Sequence, residues 1–173
     1  ETLKADMRSS HIPIILLTAK SDVASRIAGL KYGADDYLSR PFHEEELLVR
    51  MQNLLKIRQL LQERYQNIYE APLPKVKLAA PNTEDAFILK IKSLFEEHIL
   101  DPDFDLKLLS QELNLSRANF FRKVKALTGR TPAIYIRSLR LQKARQLLLS
   151  SELTIKQVAY EVGFSDPAYF TKS

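Results

Sequence analysis

The run from Leu108 to Gly129, LLSQELNLSRANFFRKVKALTG, constrains the fold of this chain more than any other stretch. It reads as a short helix, a tight turn and a second helix. Leu109 and Leu113 lie four apart on one face of the first helix, and Ser110 is a small residue beside that face, where a second helix can cross closely. Asn114 sits at the turn, where a side chain tolerant of left-handed geometry is needed. Ser116 is placed to cap the second helix, with Phe120, Val124 and Leu127 following at i, i+4 and i+7. The opposite face carries Arg117, Ala118, Phe121, Arg122 and Lys125. Taken alone, the segment also fits an ordinary helical hairpin.

A second copy changes that balance. In KQVAYEVGFSDPAYFTKS, Val158 matches Leu109, Ala159 matches Ser110 and Val162 matches Leu113. Gly163 stands for Asn114 at the turn and Phe164 for Leu115. After one extra residue, Ser165, Asp166 takes the capping place of Ser116, with Pro167 at the first helical position. Phe170 then falls where Phe120 was, and Thr171 and Lys172 where Phe121 and Arg122 were. Two such units in one small region form a repeat. An amphipathic helix with a basic outer face, braced by a helix before a tight turn, is the form of a helix-turn-helix DNA reader.

The stretch between the copies sets their separation. Gly129 is suited to end the first reader helix, Thr131 to cap the next and Pro132 to start it. Pro132 to Leu149 spans 18 residues, which is about 27 Å as a helix. One turn of DNA is about 34 Å. Ile136, Leu139, Leu141, Ala144 and Leu148 make this helix apolar on more than one side, as expected of a central strut.

From Thr83 to Ser173 the pattern resembles the DNA-binding domain of AraC-type transcription activators. The residues that carry the resemblance are Ser116, Phe120, Arg122, Gly129, Pro132, Tyr135, Arg140-Leu141, Ala144, Ala159, Gly163-Phe164 and Tyr169-Phe170. It implies a seven-helix domain whose two reader helices enter successive major grooves on one face of DNA. By position, Ala118, Phe121 and Arg122 fall where this family contacts bases, and Pro167, Ala168, Thr171 and Lys172 do so in the second unit. Asn114 and Ser110 depart from the commoner Gly and Ala of the family. Phe121 has two readings, a partly buried packing residue or an apolar contact to a thymine methyl.

Charge agrees with a phosphate-facing centre. The net charge of the 173 residues is +5. Between Lys107 and Leu149 ten Lys and Arg stand against the single Glu112, so +9 lies in that stretch and −4 in the rest. With no Cys there is no disulfide, thiolate nucleophile or cysteine metal site. His11, His43 and His98 share no metal-ligand spacing, and no Gly-rich phosphate loop is present. The reading is therefore no enzyme, no cofactor and no metal, even where a full-length parent is a hybrid histidine kinase. No apolar run approaches a membrane span and no signal peptide is visible, so a cytoplasmic setting without membrane contact is expected.

Towards the N-terminus, His11 to Leu17 (HIPIILL) is a continuous apolar run of the kind found in strands covered on both faces. Asp22 to Tyr32 carries Val23, Ile27 and Leu30 at helical spacing. Gly33 closes that helix, Asp36-Tyr37-Leu38 makes a short strand and Arg40-Pro41-Phe42 turns the chain. Strand, helix, strand, helix is one parallel crossover followed by another helix. LLTAK and GADDYLSRPF resemble the second half of a response-regulator receiver domain, over about residues 1–56. The resemblance implies Thr18 as the hydroxyl that meets a phosphoryl group and Tyr37 as the aromatic that swings inward on activation. Arg40 stands where the family places Lys, which keeps the charge but not the compact ammonium geometry. The family's phosphorylated Asp and acidic Mg²⁺ pair would lie upstream, and Asp35 and Asp36 are not that pair. Two strands alone cannot cover both faces of HIPIILL, so further strands of the parent protein or a partner chain are expected there.

Glu44 to Glu70 reads as one long helix. Leu47, Leu54, Leu61 and Ile68 repeat every seven residues, with Met51, Arg58 and Tyr65 four after each of the first three. This fits a dimerising coiled-coil seam with one charged interruption, or a helix packed on the receiver-like segment and fraying beyond it. Ala71 to Thr83 holds three prolines and reads as an extended linker. Glu84 or Asp85 begins a helix with Phe87, Ile88, Ile91, Leu94 and Phe95 on its apolar side, and Asp101-Pro102-Asp103 turns the chain into the first repeat.

The expected architecture is therefore mainly α: a receiver-like α/β part of flavodoxin type at 1–56, a linker at 57–83 and the double helix-turn-helix domain at 84–173. The last domain is expected to be cut short, because Ser173 falls inside the second reader helix. The function expected is a sequence-specific, double-stranded-DNA-binding transcription regulator, the output portion of a phosphorelay protein. Its expected partners are DNA, a second copy through Glu44–Glu70, and the upstream receiver portion or phosphodonor of the parent. Two alternatives stay open: a protein–protein scaffold that has lost DNA binding, and an AraC-type activator driven by a small-molecule ligand.

Overall fold

A computed structural model describes residues 3–19, 23–66, 83–100 and 104–172. In chain order the elements are β1 (Ile15–Thr18), α1 (Val23–Lys31), β2 (Asp36–Ser39), α2 (Glu44–Gln66), α3 (Thr83–His98), α4 (Leu106–Glu112), α5 (Arg117–Thr128), α6 (Pro132–Ser150), α7 (Ile155–Glu161) and α8 (Pro167–Thr171). Ile68, the proline-rich stretch, the punctuation at Lys20-Ser21, the helix start at Asp22 and the turn at Asp101-Pro102-Asp103 lie outside the described residues.

β1 and β2 pair in parallel, with Leu16 opposite Tyr37 and Thr18 opposite Ser39. The expected crossover is present, since α1 connects them. Tyr37 and Leu38 are buried, whereas Leu16 and Leu17 remain exposed, so α1 and α2 cover β1 only in part. Asp35 accepts from the Ile14 amide at 2.7 Å and pairs with Lys4 at 2.7 Å. Asp36 pairs with Arg50 of α2 at 2.7 Å. Both carboxylates thus serve to hold the strand entry.

The C-terminal helices pack around two apolar clusters. The first joins Phe87, Ile88, Ile91, Leu94 and Phe95 of α3 to Leu109, Leu113, Phe120, Val124 and Leu127. The second is built from Val158, Ala159, Val162, Phe164 and Phe170. α6 serves both, contributing Tyr135 and Leu139 to the first and Ala144 to the second. Leu148 stands apart from the expected strut face: it is 45% exposed near the helix end, where the second cluster no longer reaches it.

The two copies match in backbone as well as in side chains. Leu115 N–H donates to Ser110 O at 2.9 Å, and Phe164 N–H to Ala159 O at 2.9 Å. Asn114 has φ 52° and Gly163 φ 79°. Asn114 adopts the left-handed turn, which short polar side chains tolerate. Gly163 has a further constraint, because a Cβ there would stand 2.6 Å from Ile99 O. The caps fall where the composition places them: Ser116 Oγ accepts from Asn119 N–H, Thr131 Oγ1 from Ile134 N–H and Asp166 from Ala168 N–H. Thr154 and Gln157 add a reciprocal capping box at α7.

α2 differs from a free linker. Leu47, Met51 and Leu54 face β1 across an open apolar groove of about 370 Å³ that Leu55 also lines. Leu61 packs on the first cluster and Tyr65, fully buried, belongs to it. The heptad positions at the C-terminal end of α2 are therefore used inside the chain. Tyr65 Oη donates to Asp85 at 2.7 Å, and Arg64 reaches the same carboxylate at 3.2 Å. Burial, then the Asp85 bond, pushes the Tyr65 phenol well above its ordinary range. Tyr65→Phe keeps the ring and removes the donor to a mostly buried carboxylate, and it should cost about 1.5–3 kcal/mol in urea unfolding.

Candidate nucleic-acid interface

The first reading face is open. Arg117, Ala118, Phe121, Arg122 and Lys125 are all exposed along α5, while Phe120, Val124 and Leu127 hold the helix to the core. Phe121 is 43% exposed, which places it on the open face rather than in the packing. Arg122 donates to the Asn119 side chain one turn back. Among the described residues, Arg117, Arg122, Lys125 and Lys172 form no ion pair.

The second face is shorter. Ala168, Thr171 and Lys172 are exposed and Pro167 is half-buried. Thr171 Oγ1 donates to Pro167 O at 2.6 Å, so its hydroxyl is bonded within its own helix. Phe170 anchors α8, its ring 5.1 Å from that of Phe164. Arg137 of α6 stacks over Tyr169 at 5.1 Å, and Arg140 donates to Gly163 O. Thus α6 grips the turn of the second unit directly. About 28 Å of helix, from 19 residues, separates its ends.

In the N-terminal part, Thr18 and Arg40 come together at the strand ends, where Arg40 N–H donates to Thr18 O at 2.7 Å. Tyr37 points elsewhere, its buried ring facing Gly29 of α1. Of the three expected switch residues, Thr18 and Arg40 thus meet through their backbones and Tyr37 stands apart.

Sequence reading missed the polar contacts between α2, the N-terminal turn and α5. Arg58 donates to His11 O at 2.6 Å and to Ala126 O at 3.3 Å. Gln62 donates to Ala126 O and Gln66 to Thr128 O, each at 2.8 Å, satisfying carbonyls at the end of α5. Lys123 is wholly buried, and its Nζ donates to Met7 O at 2.6 Å and Ser10 Oγ at 2.9 Å. A signal for it existed: Lys123 lies beside Phe120 and Leu127 on the inner side of the helical wheel, where a lysine is out of place.

Comparison with known proteins follows this division. Residues 2–52 match the response regulator receiver domain family, and residues 109–173 match a helix-turn-helix domain family. The chain joins a receiver segment to an AraC-type helix-turn-helix domain. It is 35% identical over 170 residues to histidine kinase P4 of Formosa agariphila, covering 98% of this chain and 12% of that protein. It is 48% identical over 62 residues to the transcriptional regulatory protein GltR of Pseudomonas aeruginosa, covering 36% of this chain and 26% of that protein. The C-terminal domain of the two-component response regulator YesN from Fusobacterium nucleatum aligns with TM-score 0.44 and 35% identity, over 47% of this chain and 84% of that structure. Among the described residues, no helix is long and apolar enough to cross a membrane.

His11 sits where the receiver segment meets α2 and α5. Burial first, then the charges of Arg58 and Lys123, lowers its pKa from 6.5 to about 4, against a smaller opposing effect of Glu84. The folded chain keeps His11 neutral through that window while the unfolded chain takes up a proton. Its contribution to stability is therefore complete above pH 6.5 and is lost as the pH falls towards 4. Thermal unfolding between these limits should show that slope, and His11→Phe should flatten it.

Proposed function

We propose that the chain is the output portion of a phosphorelay protein, a sequence-specific DNA-binding regulator of transcription. One observation carries this: two hairpins of matching backbone pack on one shared helix, the first presenting Arg117, Arg122 and Lys125 and the second Lys172, all exposed and without an ion pair among the described residues. Helix N-termini and lysines meet phosphates, which position the protein, and the exposed side chains of α5 and α8 select bases in successive major grooves. Arg117, Ala118, Phe121, Arg122 and Lys125 are assigned to the first groove, and Pro167, Ala168, Thr171 and Lys172 to the second. The chain acts by binding, and no catalytic step is assigned to it.

Its partners in this reading are duplex DNA, a phosphodonor acting on the receiver of the parent protein, and a second copy of the chain. The setting is cytoplasmic, where duplex DNA and phosphodonors meet. Pairing is assigned to the N-terminal half of α2, because Leu61 and Tyr65 are already packed inside the chain, whereas Leu48, Met51 and Leu55 are exposed. Sedimentation velocity should show a dimer that Leu55→Lys converts to monomer; a parent chain monomeric at every concentration rules the pairing out.

Selection from a randomised duplex pool, with fluorescence anisotropy at several salt concentrations, tests the main reading. A motif spanning two major grooves is the expected outcome. Arg122→Ala should weaken binding to that motif by about 1–3 kcal/mol while sparing random DNA, as loss of a bidentate guanine contact would. Equal losses on both would reassign Arg122 to phosphate. Binding that is only weak, steeply salt-dependent and without a motif would sink sequence-specific reading.

A further inference from the structure

A cavity of about 390 Å³ lies between the two helix-turn-helix units. Protein sites for small molecules begin at about 300 Å³ and combine mostly apolar walls with a few placed polar groups. Phe104 and Leu109 line this cavity from the first unit, Phe164 and Tyr169 from the second, and Ile136 from α6. The His98 ring stacks on Phe104 at 5.4 Å, and Phe164 packs on Phe170 at 5.1 Å. The aromatic walls are therefore held in place from behind.

Two guanidiniums share these walls. Arg140 donates to Gly163 O, and burial lowers its pKa. Arg137 stacks over the Tyr169 ring, and among the described residues its buried Nε has no hydrogen-bond acceptor. Buried donors are almost always bonded. A turn of the Arg137 guanidinium toward the cavity lets a ligand oxygen accept from it. Among the described residues neither arginine forms an ion pair. Asp105 and Asp166 also line the cavity, but they serve the backbone. Asp105 accepts from the Lys107 and Leu108 amides at 2.7 and 2.8 Å, and Asp166 from the Ala168 amide at 2.8 Å.

This charge pattern selects the ligand. Two partly buried cations without a counter-charge favour an anion, and the guanidinium fork matches a carboxylate through paired N–H bonds. The two aspartates oppose a second negative charge, which disfavours a phosphate monoester. A recess between helices is also a poor seat for the phosphates of a duplex, which line the outside of a rod. Phe104, Phe164 and Tyr169 suit a flat ring in offset or edge-on contact.

We propose that the cavity between the two units is a binding site for a small aromatic monocarboxylate. Arg137 and Arg140 hold the carboxylate, and the ring seats against Phe104, Phe164 and Tyr169. Because its walls come from both units, the bound acid links them in addition to α6. The site stands independently of the DNA-reading function.

The probe is β-naphthoate, titrated into the full chain by isothermal calorimetry with amide chemical shifts recorded alongside. Saturable binding is expected, with shifts concentrated at Leu106, Leu109, Ile136 and Gly163–Ser165. Arg137→Met should weaken it roughly tenfold or more, the weight of a hydrogen bond to a charged group. Ala133→Phe, from an exposed position of α6 that lines the cavity, should abolish it. Neutral β-naphthamide and doubly charged β-naphthyl phosphate should both bind the unaltered chain more weakly, a comparison that needs no variant to fold. Absence of saturable binding overturns the site. The amide binding as tightly as the acid overturns the anion hold, and the phosphate binding more tightly overturns the choice of a monocarboxylate. Binding untouched by both substitutions lies elsewhere and overturns the site as well. An Arg137→Met chain that keeps its affinity for the acid but loses affinity for duplex DNA assigns Arg137 to a DNA phosphate and overturns the proposal.

Discussion

One helix has to satisfy two cores. α6 presents Tyr135 and Leu139 to the cluster of the first unit and Ala144 to that of the second, and Arg140 bonds the turn carbonyl of Gly163. Neither hairpin is large enough to bury an apolar face by itself, so each needs the side of α6 that the other leaves free. The spacing and relative rotation of the reading helices are consequently fixed by packing rather than by a loop. Gly163 belongs to the same constraint, since Ile99 O and Arg140 crowd the position a Cβ would take.

The same logic extends to α2. Its C-terminal half supplies Tyr65 to the first core and three amide or guanidinium donors to the end of α5. Its N-terminal half is tied to β2 through Arg50 and Asp36. A helix that composition alone presents as a spacer is thereby docked at both ends, on a strand of the receiver segment and on the reader.

Much of this was legible in the sequence, and the reason is local. Repeated apolar spacing, Ser116, Thr131, Asp166 and the glycines at turns act within a few residues, so the repeat, its caps and its open faces could be read directly. Phe87, Ile88, Ile91, Leu94 and Phe95 followed from helical period alone and are all buried. What the sequence did not reveal depends on partners distant along the chain. Lys123 carries the chemistry of a surface residue and is buried only because Met7 and Ser10, far upstream, meet it. Arg58 looked like an interruption of a coiled-coil seam and instead links two segments. Tyr65 looked like a seam position and is a core residue, because α3 and α5 arrive against it.

A helix fixed at both ends behaves as an axle. Each residue of an α-helix turns its successor by about 100°, so the angle between the Arg50 end and the Tyr65 end of α2 is a property of how many residues lie between them. Relatives sharing this arrangement are then free to vary the side chains of the middle segment but not its residue count. Gains or losses there are tolerated in near-whole turns, so that drift in length among such proteins should come in steps of helical phase rather than one residue at a time.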